Sequence, residues 1–228
     1  YSELYTIQNQ LESHYKDMQD IEFTIQNGKL WILQTRKGKR TGGGAIKMAI
    51  DMIDEKLIDE KTALKRINPK QLDEIMHPML DMDIEKDSEI LAVGLPAGPG
   101  GGSGQIVFTA DDAESWNNNG KQVILVRNET SPEDVHGMYA SNAILTSRGG
   151  MTSHAALVAR GWGKCCVVGC NDIIINHKNS SAAIKQQVIK QGDWVSINGS
   201  SGNIYINKIP LIDTQINTDD NFISLLNI

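Results

Sequence analysis

His154 stands at the end of a short turn in the run Gly149-Gly150-Met151-Thr152-Ser153-His154-Ala155-Ala156-Leu157-Val158-Ala159-Arg160. A glycine pair lets the chain turn tightly and brings backbone N–H groups close to a ligand. The small apolar residues after it suit a helix, and Thr152 and Ser153 are of the types that cap one. A helix start offers unpaired N–H donors and about half a positive charge, which suits phosphate. An imidazole placed there is a nucleophile whose phosphoryl adduct would meet the same donors. His154 is therefore the candidate catalytic residue, with Arg148, Gly149, Gly150, Thr152 and Ser153 as candidate phosphate-supporting residues. A lone histidine beside a turn is more often a cap or a packing residue, so the string alone leaves both readings open.

A second set lies near the start of the chain. Ile21-Glu22-Phe23-Thr24-Ile25 and Leu30-Trp31-Ile32-Leu33-Gln34-Thr35-Arg36, separated by Asn27-Gly28, read as a β-hairpin. Residues two apart on a strand share a face, so Asp20 pairs with Glu22 and Gln34 with Arg36. Two carboxylates beside an amide and a guanidinium suit a magnesium-bound nucleotide. Asp20 and Glu22 would hold the metal, and Arg36 would meet phosphate oxygens. Exposed hairpin faces carry such pairs routinely, so this pattern is not specific by itself.

The elements that must position these residues fall into successive stretches. After the hairpin, Ala45 to Ile53 has apolar residues at helical spacing, a helix is expected from Asp59 to Leu64, and Pro69 can open the next. Gly42-Gly43-Gly44 lacks a following Lys-Ser/Thr at phosphate-loop spacing and reads as a flexible joint. Farther on, strands are expected over 105–109, 122–126, 143–145, 165–168, 194–197 and 203–206. Between them Thr109 and Ser131-Pro132 mark helix starts, the former with Asp112 in a partial capping box. Strand, helix and strand in succession imply parallel crossover units, hence an α/β domain. Arg127 and His136 also lie there; His136, inside the Ser131 helix, reads as packing or solvent-facing.

The 228 residues allow one or two domains, and 40% hydrophobic with 22% charged residues is ordinary for globular protein. A net charge of −6 argues against nucleic acid as a partner. No apolar run approaches the roughly 20 residues that span a bilayer, so no membrane partner is expected. The three cysteines, Cys165, Cys166 and Cys170, lack a second ligand cluster and read as buried reduced thiols on a strand.

With these residues in place, Gly149 to Arg160 resembles the phosphohistidine signature of the phosphoenolpyruvate-utilising enzymes at every position. Gly161-Trp162-Gly163-Lys164-Cys165-Cys166-Val167-Val168-Gly169-Cys170 is similar to the stretch after the signature in the dikinases of that family. Leu95-Pro96-Ala97-Gly98-Pro99-Gly100 resembles a Pro-Ala-Ser-Pro-Gly stretch, with Gly98 at the serine position. The segment from His14 to Ile25, followed by Leu33 to Arg36, resembles the end of an ATP-grasp nucleotide domain. By that resemblance Asp20, Glu22, Gln34 and Arg36 fall on nucleotide-binding positions, Glu22 and Asp20 also on metal positions.

The resemblance covers the chain to about Lys208. It implies the C-terminal part of an ATP-grasp domain over 1–40, a helical linker over 41–87, a swivelling β/β/α phosphohistidine domain over 88–209, and over 210–228 a linker to a phosphoenolpyruvate/pyruvate barrel. The chain, which begins at Tyr1 in mid-pattern, is expected to be an internal segment that binds ATP poorly by itself. The implied activity interconverts ATP, pyruvate and phosphate with AMP, phosphoenolpyruvate and pyrophosphate, His154 carrying phosphoryl between two remote sites. Mg2+ would accompany ATP and phosphoenolpyruvate. Thr152 matches the position at which plant members are regulated by phosphorylation. Family enzymes are homodimers, and this segment is expected to be monomeric. An intracellular, cytoplasmic location is expected, with an organelle compatible. The alternatives are a synthase of the same family that uses water in place of phosphate, enzyme I of the phosphotransferase system, and a non-catalytic module that kept the fold. The ATP-grasp tail argues against the second and the complete signature against the third.

Overall fold

A computed structural model describes residues 1–212 and 220–228, apart from the side chains of Lys70, Asp73 and Glu74. The chain divides into two compact units, Tyr1–Ile75 with Gln215–Ile228, and Met76–Thr214.

The first unit contains α1 (Ser2–Tyr15), the hairpin β1 (Gln19–Gln26) and β2 (Lys29–Lys37), α2 (Gly42–Asp54), α3 (Glu60–Arg66), α4 (Pro69–Met76, whose last residue passes into the second unit) and α9 (Asp220–Leu226). Asn27 and Gly28 both take positive φ, as a two-residue hairpin turn with the right-handed twist of its strands requires. Helix α2 buries Ala45, Ile46, Ala49 and Met52 on one stripe. It begins inside the glycine triplet that reads from sequence as a flexible joint. Thr41 caps it, its side chain accepting the Gly44 N–H at 3.3 Å, and the buried stripe outweighs the poor helix propensity of glycine. Pro69 opens α4 as expected. Of the stretch expected as a linker, 211–212 form a strand, 220–226 form α9 with Leu225 buried, and 213–219 lie outside the described residues.

Asp17, between α1 and β1, gathers the first unit. Its buried carboxylate meets Arg40 at 2.8 Å, Lys37 at 2.9 Å and Arg66 at 3.7 Å. Arg66 also donates to the Lys16 carbonyl oxygen at 2.5 Å, so the end of the hairpin, the approach to α2 and the end of α3 converge on one anion.

The second unit begins with β3 (Met79–Leu80), α5 (Met82–Asp87), β4 (Ala92–Val93), β5 (Leu95–Gly98), β6 (Gly101–Val107), α6 (Ala110–Asn118) and β7 (Val123–Arg127). A 3-10 turn (Pro132–Asp134), α7 (Val135–Ala140), β8 (Ala143–Thr146), α8 (His154–Trp162) and β9 (Cys165–Val168) follow. Then come β10 (Ile173–Asn176), β11 (Ser181–Ile184), β12 (Gln187–Lys190), β13 (Trp194–Asn198), β14 (Asn203–Tyr205) and β15 (Leu211–Ile212). The main sheet has the order β4-β14-β13-β6-β7-β8-β9-β5, and β6, β7, β8 and β9 are parallel neighbours. Crossover connections through α6, α7 and α8 therefore hold as expected.

Alternation along the central strands divides two cores. Ile124, Val126, Leu145 and Val167 face a layer that includes Ile173, Ala182, Ile184 and Ile189 of the small sheet β10-β11-β12. Val123, Leu125, Ile144 and Cys166 face Ala113, Met138, Ala155, Ala156 and Ala159 of the helices. Sheet, sheet and helices make the β/β/α architecture, in which the central strands are buried on both faces. The strand pattern read from the sequence does not include the small sheet.

The expected caps are present: Thr109 accepts the Asp112 N–H at 3.1 Å, and Ser131 with Asp134 forms a capping box. The three cysteines are buried and unpaired, as read from the sequence, but only Cys165 and Cys166 lie on β9, and Cys170 falls in the loop just past its end. Burial pushes the Cys166 thiol up to about 12 and that of Cys170 to about 11, and raises Cys165 further, so all three stay protonated. Lys164 fastens β9 to the end of α7, its ammonium donating to the Tyr139 carbonyl oxygen and, at 2.5 Å, to that of Ser141. Gly98 pairs with Cys166, and a Cβ there would collide with the Lys164 carbonyl oxygen. In this chain β5 thus lies too close to β9 for serine.

Burial alone would raise the Asp17 carboxyl, but Arg40 and Lys37 outweigh it and hold the group below its ordinary value of 3.8. Its contribution is therefore present above that unfolded value and lost as pH falls through the lower folded one. Asp17→Asn should destabilise the first unit by on the order of 3 kcal/mol at about pH 7. In urea unfolding the gap to the unsubstituted chain should hold down to about pH 4 and close below it; a gap that persisted in strong acid would count against this role.

Candidate functional site

β7, β8 and β9 run parallel, so their carboxyl ends come to one edge of the sheet, where α/β proteins place ligands. Three loops meet there. The one after β8 is the glycine turn. Gly149 takes φ +102°, and the Ser153 N–H donates to the Gly150 carbonyl oxygen at 2.9 Å, closing the turn. Ser153 is the N-cap of α8, its hydroxyl accepting from the Ala156 N–H at 3.4 Å, and half-buried His154 is the first helical residue. Helix geometry leaves the first N–H groups of α8 without intrahelical acceptors, directed past the turn.

The loop after β7 supplies what orients the imidazole. Thr130 Oγ1 and His154 Nδ1 share a hydrogen bond at 3.0 Å. One ring nitrogen is thus engaged, and Nε2 is the nitrogen left to meet an electrophile. The same loop is stitched to the glycine turn. The Arg148 N–H donates to the Asn128 carbonyl oxygen at 2.9 Å, the Ser147 N–H to that of Arg127 at 3.0 Å, and the Ser147 hydroxyl to Asn128 Oδ1 at 3.0 Å. The loop after β9 contributes Gly169, at φ +63°, where a Cβ would lie 2.6 Å from the Gly149 carbonyl oxygen. Only glycine lets this loop approach so closely.

Of the residues singled out in the sequence, the structure brings together His154, Gly149, Gly150, Ser153 and the backbone of Arg148. The Arg148 side chain and Thr152 are exposed beside them. His136 turns instead to Asp111, 3.0 Å away on α6. Sequence reasoning missed Thr130, Asn128 and Gly169. The available signal was position: Asn128-Glu129-Thr130-Ser131 is a polar run directly after a buried strand, at the edge where parallel strands present their loops.

Asp20, Glu22, Gln34 and Arg36 belong to the first unit. Asp20 is the register partner of Arg36, and Glu22 that of Gln34, so all four share one face of the hairpin. Arg36 Nε lies 2.9 Å from Asp20 Oδ2, and both side chains are exposed. The hydrogen bond and charge of Asp20, and the charge of Glu22, hold the Arg36 guanidinium in its charged form, raising it above its ordinary value. Among the described residues no group of three or more His, Cys, Asp or Glu side chains gathers as a metal site. Two carboxylates with an amide oxygen nevertheless fit Mg2+, which commonly takes one or two carboxylates and completes its shell with water and phosphate.

The β/β/α fold and its glycine-turn histidine are those of a mobile domain of phosphoenolpyruvate-utilising enzymes. The family model "PEP-utilising enzyme, mobile domain" matches residues 119–202, and "Pyruvate phosphate dikinase, AMP/ATP-binding domain" matches residues 1–57. The chain belongs to the pyruvate, phosphate dikinase family. It is 53% identical over 219 residues to pyruvate, phosphate dikinase 2 of Oryza sativa subsp. japonica, covering 96% of this chain and 25% of that one. It is 55% identical over 209 residues to the chloroplastic pyruvate, phosphate dikinase of Flaveria pringlei, covering 92% and 22%. The chain thus spans about a quarter of the length of the curated relatives it matches. A solution structure of an Enzyme I protein is similar at 26% identity and a TM-score of 0.28, covering 38% of this chain and 31% of that one, too weak a likeness to argue from.

Gly169→Ala should destabilise the second unit by about 1–2 kcal/mol and displace the amide resonances of Gly149 and Gly150. Urea unfolding and amide spectra would check this, and an unchanged midpoint with unmoved resonances would show that the loops are not in contact.

Proposed function

We propose that His154 is the phosphoryl carrier of a pyruvate, phosphate dikinase, and that the whole protein interconverts ATP, pyruvate and phosphate with AMP, phosphoenolpyruvate and pyrophosphate. The observation that carries this reading is the Thr130–His154 hydrogen bond at the head of α8, which engages Nδ1 beside a turn suited to phosphate. With Nδ1–H donating to Thr130 Oγ1, the Nε2 lone pair attacks in line. Since AMP is a product, the bond broken in ATP lies between the α- and β-phosphorus, and the outer two phosphoryl groups pass to Nε2. Phosphate takes the terminal one as pyrophosphate, and the phosphoryl left on Nε2 passes to the enolate oxygen of pyruvate. The α8 N–H donors, with Gly149 and Gly150 admitting the group closely, stabilise its charge, and Arg148 stands where it can approach the same oxygens. Thr152, exposed in the turn, is open to modification.

Asp20, Glu22, Gln34 and Arg36 form the nucleotide-binding part of this chain, with Glu22 and Asp20 as the Mg2+ carboxylates. A bound Mg2+ neutralises phosphate charge there. Arg36, now paired with Asp20, would meet phosphate oxygens, and Asp20 would then be available to hold the metal. The rest of the nucleotide site and the pyruvate site lie in other parts of the protein, so the unit with His154 has to travel. β3 and β15 pair antiparallel near the two limits of that unit, placing its incoming and outgoing strands side by side as a tether. We divide the chain functionally as nucleotide-domain remnant to about residue 40, helical connection to about 87, phosphohistidine domain to about 209, and connection beyond. Among the described residues no helix is long and apolar enough to cross a membrane. An intracellular location is proposed, cytoplasmic or organellar. The complete enzyme is proposed to dimerise and this segment to be a monomer; light scattering at micromolar concentration giving a dimer mass would overturn the latter.

The test uses the full-length enzyme with magnesium and ATP, with and without phosphate, followed by measurement of acid-labile phosphate on the peptide containing His154. Single phosphorylation that depends on phosphate supports the dikinase, whereas release of free phosphate without that need identifies a water-using synthase. His154→Ala should abolish phosphoenolpyruvate formation, and retained activity would refute the carrier role. Thr130→Val should slow phosphorylation roughly tenfold, the scale of one lost hydrogen bond.

A further inference from the structure

Asp134 lies 5% exposed at the end of the 3-10 turn that precedes α7. A buried carboxylate needs partners, and this one has three donors. Its Oδ2 accepts from the Ser131 N–H at 2.9 Å and from the Ser131 hydroxyl at 3.3 Å. Arg127 Nη2 lies 3.1 Å from Oδ1 and 3.4 Å from Oδ2. Arg127 is fixed in turn, Nη1 donating to the Phe108 carbonyl oxygen at 3.1 Å, while its buried Nε has no hydrogen-bond partner among the described residues. A capping box needs only the Ser131 contacts. An arginine held against the same carboxylate at the expense of an unpaired N–H is more than a cap requires.

What this arrangement fixes is the residue just before the cap. The Ser131 N–H belongs to the planar peptide that joins Thr130 to Ser131, so Asp134 holds the plane from which Thr130 is suspended. On the other side, Asn128 is tied to Ser147 and Arg148 of the glycine turn. Thr130 hangs between these two anchors, with Oγ1 3.0 Å from His154 Nδ1. Rotation of the Thr130–Ser131 peptide would carry the hydroxyl away from the ring.

We propose that Asp134, held by Arg127, is a positioning residue that sets Thr130 against His154 and thereby selects the ring nitrogen presented for phosphoryl transfer. A neutral imidazole carries one N–H, so what occupies Nδ1 decides the state of Nε2. Asp134 touches neither the ring nor the phosphoryl group. The inference rests on the carrier role of His154 for its consequence in catalysis, but not for its geometry.

The experiment records the ring-nitrogen resonances of the 15N-histidine-labelled chain of 228 residues, with the His154 signals assigned by their loss in His154→Ala. Thr130→Val defines the Nδ1 signature of a ring without its partner. Asp134→Ala should reproduce that signature while the remaining amide spectrum keeps its dispersion, and adding Thr130→Val should move it no further. In the full-length enzyme Asp134→Ala should slow His154 phosphorylation by roughly the same factor as Thr130→Val, with the two factors failing to multiply and the KM for ATP unmoved. A folded Asp134→Ala chain with the unsubstituted Nδ1 signature, or rate effects that multiply, would overturn the proposal. If Asp134→Ala does not fold, Asp134→Asn decides by the same readouts: it keeps the shape but turns an amide N–H toward Arg127, and a partial shift toward the Thr130→Val signature is expected. Should His154 prove not to be phosphorylated at all, the carrier reading fails while the Nδ1 resonance still reports on Asp134.

Discussion

The constraint on which the second unit depends is the parallel alignment of strands buried on both faces. Since β7, β8 and β9 run the same way between two apolar layers, their ends emerge at one edge, and the loops there lie within reach of each other. Polar backbone leaving a dry core must find partners at once. Here the partners are neighbouring loops: β8's loop donates to β7's, and β9's loop lies against the glycine turn. The imidazole therefore sits on a platform whose three supports fix one another.

The site's local half was legible in the sequence because it is written in adjacent residues. The glycine pair, Ser153 as cap and His154 as first helical residue are each decided within a few positions, and they are found as read. The capping signals at Thr109 and Ser131 belong to the same class. Thr130 and His154 stand 24 residues apart, and no local periodicity announces such a bond. It follows from which strands are neighbours, which sequence pattern alone settles weakly. Gly169 is hidden for a related reason: its value lies in the side chain it lacks, opposite a carbonyl from a different loop.

The misses in the fold have equally particular causes. The glycine triplet at the head of α2 has low helix propensity, and only the burial of Ala45 and Ile46 behind it shows why the helix starts there. Ser181-Ala182-Ala183-Ile184 has little β-character of its own and becomes a strand because its alternate residues Ala182 and Ile184 seal the outer core. Across the hairpin the period-two reading held, and the two strand pairs meet residue for residue at Asp20 with Arg36 and Glu22 with Gln34. A register shift comes directly after Glu22, so the polar face and the rest of the hairpin are set by different registers.

The division of the chain has a consequence for the order in which the protein is made. The first unit is discontinuous: residues to Ile75 must wait for Gln215–Ile228, and α9, which packs on α2, is translated only after the whole intervening unit. The intervening unit is continuous and closes on itself through the β3–β15 ribbon, so it can complete its sheet while its host is still open. Synthesis thus favours finishing the inserted piece first, against the usual N-terminal precedence. A nascent chain would carry an assembled histidine platform before the unit that flanks it on both sides is complete.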